Sequence, residues 1–181
     1  MIYETPEPVE IPRKSNGHID RKALKEWWSH QVLPNGFELG SAIGCYVFSI
    51  SSGRGTMPWY VGKASGQVFQ EECFKHHKLT HYNDVLASRE RGKPCLTLFV
   101  KLTPKGRLAK SSDREGAHKD IVFLENHLIG LCIKRNSELR NVRDTAFLRS
   151  MEVPGVLNTP RGGRGGRSSG VQALKKLLYK D

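Results

Sequence analysis

Long apolar runs are missing from this sequence. No segment approaches the roughly 20 consecutive apolar residues that a membrane-spanning helix needs. The N-terminal stretch MIYETPEPVEIPRK also lacks the hydrophobic region of a secretory signal. We therefore expect a cytoplasmic protein with no membrane partner.

Cysteine is scarce and scattered, which argues against a domain built on Cys-x-x-Cys pairs and against a small secreted domain held together by disulfides. Neither Cys-x-x-Cys spacing nor the density of a secreted disulfide scaffold is present, so we expect reduced, mainly buried thiols. The four cysteines are Cys45, Cys73, Cys95 and Cys132.

Three closely spaced histidines, His76, His77 and His81, allow a metal hypothesis, because two histidines on one helix face can share an ion. No cysteine or acidic helix partner accompanies them. That absence favours a solvated or phosphate-facing cluster.

Acidic side chains are too few to balance the basic ones. Lysine and arginine number 29 against 18 aspartates and glutamates, for a formal net charge of +11. The first 60 residues contain six basic and six acidic side chains, so the excess lies entirely after Tyr60. A one-sided excess of this size favours a polyanionic partner such as nucleic acid.

The hydrophobic pattern predicts a small α/β domain with a three-stranded, mostly antiparallel sheet flanked by helices. We divide the chain into an N-terminal arm and helix (1–40), a central domain (41–150) and a basic extension (151–181). Strands are predicted at 43–50, 59–63 and 95–102, and helices at 21–33, 67–79, 82–91, 118–135, 144–150 and 171–180. Asp20 should cap the first helix, which Pro34 ends, and Ser169 should cap the last.

Glu125 is the most informative residue of the helix predicted at 118–135. Its helical neighbours are all apolar: Ile121, Val122, Leu128 and Ile129. A carboxylate on a core-facing stripe needs a partner, since ionised glutamate is almost never buried alone. An ion pair, a position at the edge of the stripe and a metal site in a cleft are the alternatives.

The hairpin GCYVFSISSGRGTMPWYVGKA and this glutamate together resemble the GIY-YIG nuclease superfamily. Gly44-Cys45-Tyr46 stands where that family has Gly-Ile-Tyr, and Tyr60-Val61-Gly62 where it has Tyr-Ile-Gly. Glu125 in ENHLI follows on a later helix, and Asn141 resembles an asparagine that follows the family's glutamate. The resemblance covers residues 43–142.

The resemblance implies a phosphodiesterase site. Tyr46 would take a proton from the attacking water or attack phosphorus itself, and Lys63 would support its ionisation. Tyr60 would form hydrogen bonds in the same site. Glu125 would hold one Mg²⁺ or another divalent cation, which neutralises phosphoryl charge, and Asn141 would complete the catalytic set.

The family's arginine on the helix after Tyr-Ile-Gly has no counterpart in QVFQEECFKHHKL. Lys75 and Lys78 lie close to the corresponding place and could contact the substrate phosphate. His77 matches a histidine that some members carry four residues after the arginine.

The RGGRGGR run of the C-terminal extension combines flexible glycines with cations. Arg161, Arg164 and Arg167 are predicted to contact phosphates, and a solvated tail is the alternative interpretation.

These observations predict a Mg²⁺-dependent endonuclease that hydrolyses double-stranded DNA, of the type II restriction kind because no separate DNA-binding module is present. A nucleic-acid-binding protein of the same fold that has lost cleavage is the alternative, and a homodimer is left open.

Overall fold

A single antiparallel sheet organises the part of the chain that the computed structural model describes, which is residues 1–88, 92–141, 145, 150, 153–154 and 168–178. Its strands are β1 (Ile2–Glu4), β2 (Val9–Glu10), β3 (Gly44–Ser52), β4 (Gly55–Ala64) and β5 (Lys93–Leu102). The helices are α1 (Leu24–Ser29), α2 (Phe69–Glu72), α3 (His76–Ser88), α4 (Lys119–Arg135) and α5 (Ser169–Leu178), with a 3-10 helix at Leu39–Ser41.

The prediction of α/β class is confirmed, but the prediction of three strands is wrong. Strands β5, β3 and β4 are neighbours in that order, and both β1 and β2 pair with the free edge of β5, which gives five strands in the described residues. The sequence predicts an extended arm over residues 1–20, which contain prolines at positions 6, 8 and 12. This region contains two strands, which are only three and two residues long. Strands this short contain no alternating hydrophobic pattern from which they could be predicted.

Two layers of helices enclose the sheet because the side chains of β3 alternate between its faces. Tyr46 and Phe48 join the core under α1, α2 and α3, whereas Cys45 and Val47 pack toward α4. Long strands that are apolar on both faces are typical of a sheet covered on both sides.

Several helix boundaries differ from the predicted ones. The first helix covers only Leu24–Ser29, and Asp20 accepts a hydrogen bond from the Lys22 amide (3.0 Å) in a turn before it. Helix α3 runs without a break from His76 to Ser88, because Leu79, Tyr82 and Leu86 keep one buried stripe across the predicted gap.

At the C-terminus, the hydroxyl of Ser168 accepts a hydrogen bond from the Val171 amide (3.3 Å), so Ser168 rather than Ser169 satisfies the start of α5. The helix predicted at 144–150 and the predicted contacts Arg161, Arg164 and Arg167 lie largely or wholly outside the described residues. In the described ranges, no helix combines the length and apolarity needed to cross a bilayer.

Candidate functional site

The two glycine–tyrosine motifs face each other across strands β3 and β4. Tyr46 pairs with Gly62, and a Cβ atom at Gly62 would lie 2.4 Å from both Cζ and the hydroxyl oxygen of Tyr46. Gly44 has a φ of +149°, and its Cβ would lie 1.9 Å from the carbonyl oxygen of Phe99. The first glycine therefore lets β3 approach β5, and the second makes room for the Tyr46 ring.

Tyr46 is fully buried beneath Gly62. Its ring lies 6.4 Å from that of Tyr60 and 6.3 Å, edge to face, from Phe69. Burial raises the pKa of Tyr46 well above its ordinary value, and nearby Tyr82 adds to the effect. The Tyr46 hydroxyl has no hydrogen-bond partner of normal geometry among the described residues. Such an orphaned polar atom requires an explanation, and a functional role is one of the common ones.

Tyr60 reaches the surface of a cleft. Its ring stacks on His81, with 6.3 Å between centroids and 18° between planes. Burial, followed by the charges of Glu125 and Glu72, raises the pKa of Tyr60 to about 12. Both tyrosines therefore remain protonated at neutral pH in this environment.

Glu125 is paired with Lys63. The Nζ atom of Lys63 on β4 contacts Oε2 of Glu125 on α4, and the two side chains are 36% and 15% exposed. The structure thus shows the ion-pair alternative. The four apolar neighbours of Glu125 do not form a fully buried stripe, because Val122 is 42% exposed. Glu125 itself borders the cleft, so one side of its environment is open.

Lys78 is a buried lysine under the same cleft, with only 4% exposure. Its ammonium group donates to the Glu72 carbonyl (3.0 Å) and also to the Glu72 carboxylate, and it lies 5.2 Å from the centroid of the Tyr46 ring. Lys75, more exposed, binds the same carboxylate at 2.6 Å. Burial alone would raise the pKa of Glu72, but the two lysines lower it below its ordinary value. A cation is therefore fixed beside the first motif tyrosine.

His77 stands at the exposed rim of this cleft. Partial desolvation, followed by the positive charge of Lys78, lowers the pKa of His77 from 6.5. The imidazole is therefore neutral at pH 7 and free to accept a proton.

The cleft itself encloses about 420 Å³ and brings together six of the predicted site residues. Tyr46 lies beneath its floor, separated from it by Gly62. The predicted residues that line the cleft are Tyr60, Lys63, Lys75, His77, Lys78 and Glu125.

Asn141 does not line the cleft. Its side-chain amide donates to the Val61 carbonyl (2.8 Å), and its side-chain oxygen accepts from the Val61 amide (2.9 Å). Asn141 thus holds the backbone between Tyr60 and Gly62, and it fixes the second motif from behind.

Sequence reasoning missed three side chains of this region: Glu72, Asp113 and His81 as the stacking partner of Tyr60. The spacing of Glu72 from Lys75 is one helical turn and could have indicated the ion pair. Asp113 lies in a polar loop, where no local pattern marks it.

Among the side chains that line the cleft, Glu125 could hold a single Mg²⁺ ion. Within the described ranges, no group of three or more histidine, cysteine, aspartate or glutamate side chains is arranged as a metal site. Mg²⁺ needs only one or two carboxylates, since waters and substrate phosphates complete its octahedral shell. Glu125 fits this requirement, because its carboxylate borders the cleft and only Oε2 is engaged by Lys63.

Comparison with known proteins gives no external assignment: no protein-family model, curated protein or solved structure matches this chain.

Proposed function

We propose that this protein is a Mg²⁺-dependent endonuclease of the GIY-YIG type that hydrolyses DNA phosphodiester bonds, in the manner of a type II restriction enzyme. The observation that supports this proposal is the convergence in one cleft of six residues, from β4, α3, α4 and the turn before α3, that the motif resemblance had selected. Residues chosen only for packing would have had no reason to share one solvent-filled cleft.

Glu125 would hold the Mg²⁺ ion, which supplies positive charge to the phosphoryl oxygens when bound. Lys63 would then exchange its contact with Glu125 for a contact with the phosphate. Because Lys63 is about one-third exposed, its ammonium group has room to make this change.

Tyr46 would reach the attacking water only after a small movement of Gly62, because its hydroxyl is buried against this glycine beneath the floor of the cleft. His77 would accept the proton of that water, since its imidazole is the neutral base of the cleft at pH 7. The water oxygen would bond to phosphorus as the bond to the leaving sugar oxygen breaks. The leaving oxygen would take a proton from solvent, and Tyr60, which lines the same cleft, would donate a hydrogen bond to it.

Lys78 would take the place of the arginine that the family carries on this helix. It provides a fixed positive charge under the cleft floor, although a lysine lacks the two-pronged geometry of a guanidinium group. Lys75, at the cleft edge, would contact a phosphate directly. Arg161, Arg164 and Arg167 would add phosphate contacts from the C-terminal extension.

A nucleic-acid-binding protein without cleavage activity is the second candidate. The ion pair between Lys78 and Glu72 favours this second candidate, because a lysine paired with a carboxylate stabilises a phosphate charge less than an unpaired arginine would.

Plasmid DNAs of varied sequence, incubated with the protein in Mg²⁺ and in EDTA, test both candidates. Discrete fragments that appear only with Mg²⁺ would support a restriction-type nuclease, and a smear would indicate cleavage without sequence preference. Binding without any cleavage would favour the second candidate. In each case affinity should fall linearly with salt on logarithmic axes, and replacing the three arginines together should reduce the slope.

A further inference from the structure

A second cavity, of about 440 Å³, adjoins the proposed active-site cleft. The two share Ser65, Gly66 and Asp113 as lining residues. A Cβ atom at Gly66 would lie 2.3 Å from Oδ1 of Asp113, so the dividing ridge is low only because residue 66 is glycine. An extended polymer bound in the cleft could therefore continue across this ridge into the cavity.

The outer wall of the cavity is the loop between β5 and α4, and it is anchored to the rest of the protein. The Ser112 amide donates to the Ser65 carbonyl (2.9 Å), and the Arg114 amide donates to the Ser112 hydroxyl (3.3 Å). The Ala117 amide closes a turn on the Arg114 carbonyl (3.1 Å). These bonds fix the loop against the end of β4, where the second motif also lies.

The charges of the two sites differ. Three lysines of the cleft are matched by three carboxylates among its lining residues. The cavity is lined by Arg114 and Lys119, with Asp113 as the one carboxylate among its lining residues. Neither cation forms an ion pair within the described part of the chain. The cavity therefore presents two available positive charges beside a neutral cleft.

His118 also lines this cavity. The Lys101 ammonium group lies 3.1 Å from Nδ1 of His118 and donates a hydrogen bond to Asp120 at 2.8 Å. The Asp120 carboxylate thus holds this ammonium group beside the His118 ring. An ammonium group can only donate, so Nδ1 must accept and the ring proton is assigned to Nε2. That nitrogen is buried and has no partner among the described residues, so its hydrogen-bonding capacity is unmet in this arrangement.

We infer that this cavity binds a second phosphate group of the cleaved DNA strand, close to the phosphate that reacts in the cleft. The inference rests on the proposed nuclease function and adds to it the path of the substrate. A phosphate there would accept hydrogen bonds from Arg114 and Lys119, the two lining cations that form no ion pair among the described residues. Charge-assisted bonds of this kind fix a strand's position without reading its bases.

Neutral-phosphate scanning tests the inference. Duplex oligonucleotides that contain the cleavage site, each with one uncharged methylphosphonate at a successive position beside the cut, are titrated in EDTA with three proteins. These are the wild type, the double variant Arg114→Gln/Lys119→Gln, and the control double variant Lys105→Gln/Arg107→Gln, which removes the same charge from exposed residues outside the cavity.

We expect that, at one position beside the cut, the methylphosphonate weakens wild-type and control binding by about tenfold, as for the loss of a charge-assisted hydrogen bond, and that this loss depends on Arg114 and Lys119. The Arg114→Gln/Lys119→Gln variant should bind the unmodified duplex and the duplex neutralised at that position with equal, reduced affinity, while it keeps the losses at phosphates that contact other residues. The same position-specific loss in that variant, or no such position in the wild type, would overturn the inference while plasmid cleavage by the wild type leaves the nuclease proposal standing. A wild type that neither binds nor cuts DNA would overturn both.

Discussion

Replacing Glu125 with glutamine should separate the structural and the metal-binding contributions of this residue. The change keeps the shape of the side chain and removes its charge, so the Lys63–Glu125 ion pair is lost. Exposed pairs contribute roughly 0.2–1 kcal/mol, whereas breaking a buried pair costs about 3–5 kcal/mol. Since Lys63 is 36% exposed and can turn to solvent, we expect Glu125→Gln to lower the free energy of unfolding by about 1 kcal/mol.

Asp120→Asn provides the matched comparison within the same helix. Lys101 and Asp120 are only 13% and 14% exposed, and Tyr3 donates a second hydrogen bond to this carboxylate (2.8 Å). Neutralising Asp120 leaves an enclosed lysine without its partner, so we expect a loss of about 3 kcal/mol. At roughly 2–4 °C per kcal/mol for a chain of this size, the two melting temperatures should be clearly different.

Thermal melts in EDTA and in Mg²⁺, together with a plasmid cleavage assay, complete the test. Mg²⁺ should raise the melting temperature of the wild type and of Asp120→Asn, but not that of Glu125→Gln, because only a bound ion shifts the unfolding equilibrium. Cleavage by Glu125→Gln should fall by at least about 100-fold, since metal stabilisation of the phosphoryl charge contributes several kcal/mol. Normal cleavage by Glu125→Gln, with an unchanged Mg²⁺ requirement, would refute the assignment of Glu125 as the metal ligand.

Three further changes test the floor and the rim of the cleft. Tyr46→Phe should reduce cleavage by about 100-fold and change the melting temperature little, because the hydroxyl makes no hydrogen bond of normal geometry with any described residue. Normal cutting would show that the hydroxyl is not used. Gly62→Ala should destabilise the fold by about 1–3 kcal/mol in urea unfolding, since its Cβ would lie 2.4 Å from the Tyr46 ring. Combining it with Tyr46→Leu should recover part of that loss of stability. An unchanged unfolding midpoint for Gly62→Ala would contradict this packing. Cleavage should be sustained at neutral pH and fall as the pH drops through the lowered pKa of His77, below 6.5, because the imidazole then becomes protonated. His77→Asn should abolish this fall in activity at acid pH. The control His76→Asn, one residue away and not part of the cleft lining, should retain it.

Local patterns predicted three of the longest elements well, whereas they divided α3 and missed the first four residues of β4. The strands β3 and β5 and the helix α4 were placed to within two residues at each end, because each contains several turns or pleats of regular spacing. The strands β1 and β2 were missed, since a two- or three-residue strand has no period of its own and exists only by pairing with β5.

The candidate site shows the same division between local and distant information. That Glu125 needs a partner followed from its apolar neighbours, but the identity of that partner did not, because Lys63 lies 62 residues earlier on another element. Lys78 was predicted to contact phosphate directly, and only the packing of α3 over Tyr46 places its ammonium group beneath the cleft. The solvent exposure of Val122 likewise depends on where the helix meets the sheet.

The sequence by itself determined the α/β class, the basic charge and the residue types of the motifs, because composition and short-range spacing are properties of the chain before it folds. Only the tertiary structure decided which side chains share the cleft and which ions are paired. It also brought residues near 65 and 113 together to form the ridge between the two cavities. Such contacts join residues far apart in the chain, and their geometry follows from the packing of helices on the sheet rather than from any local preference.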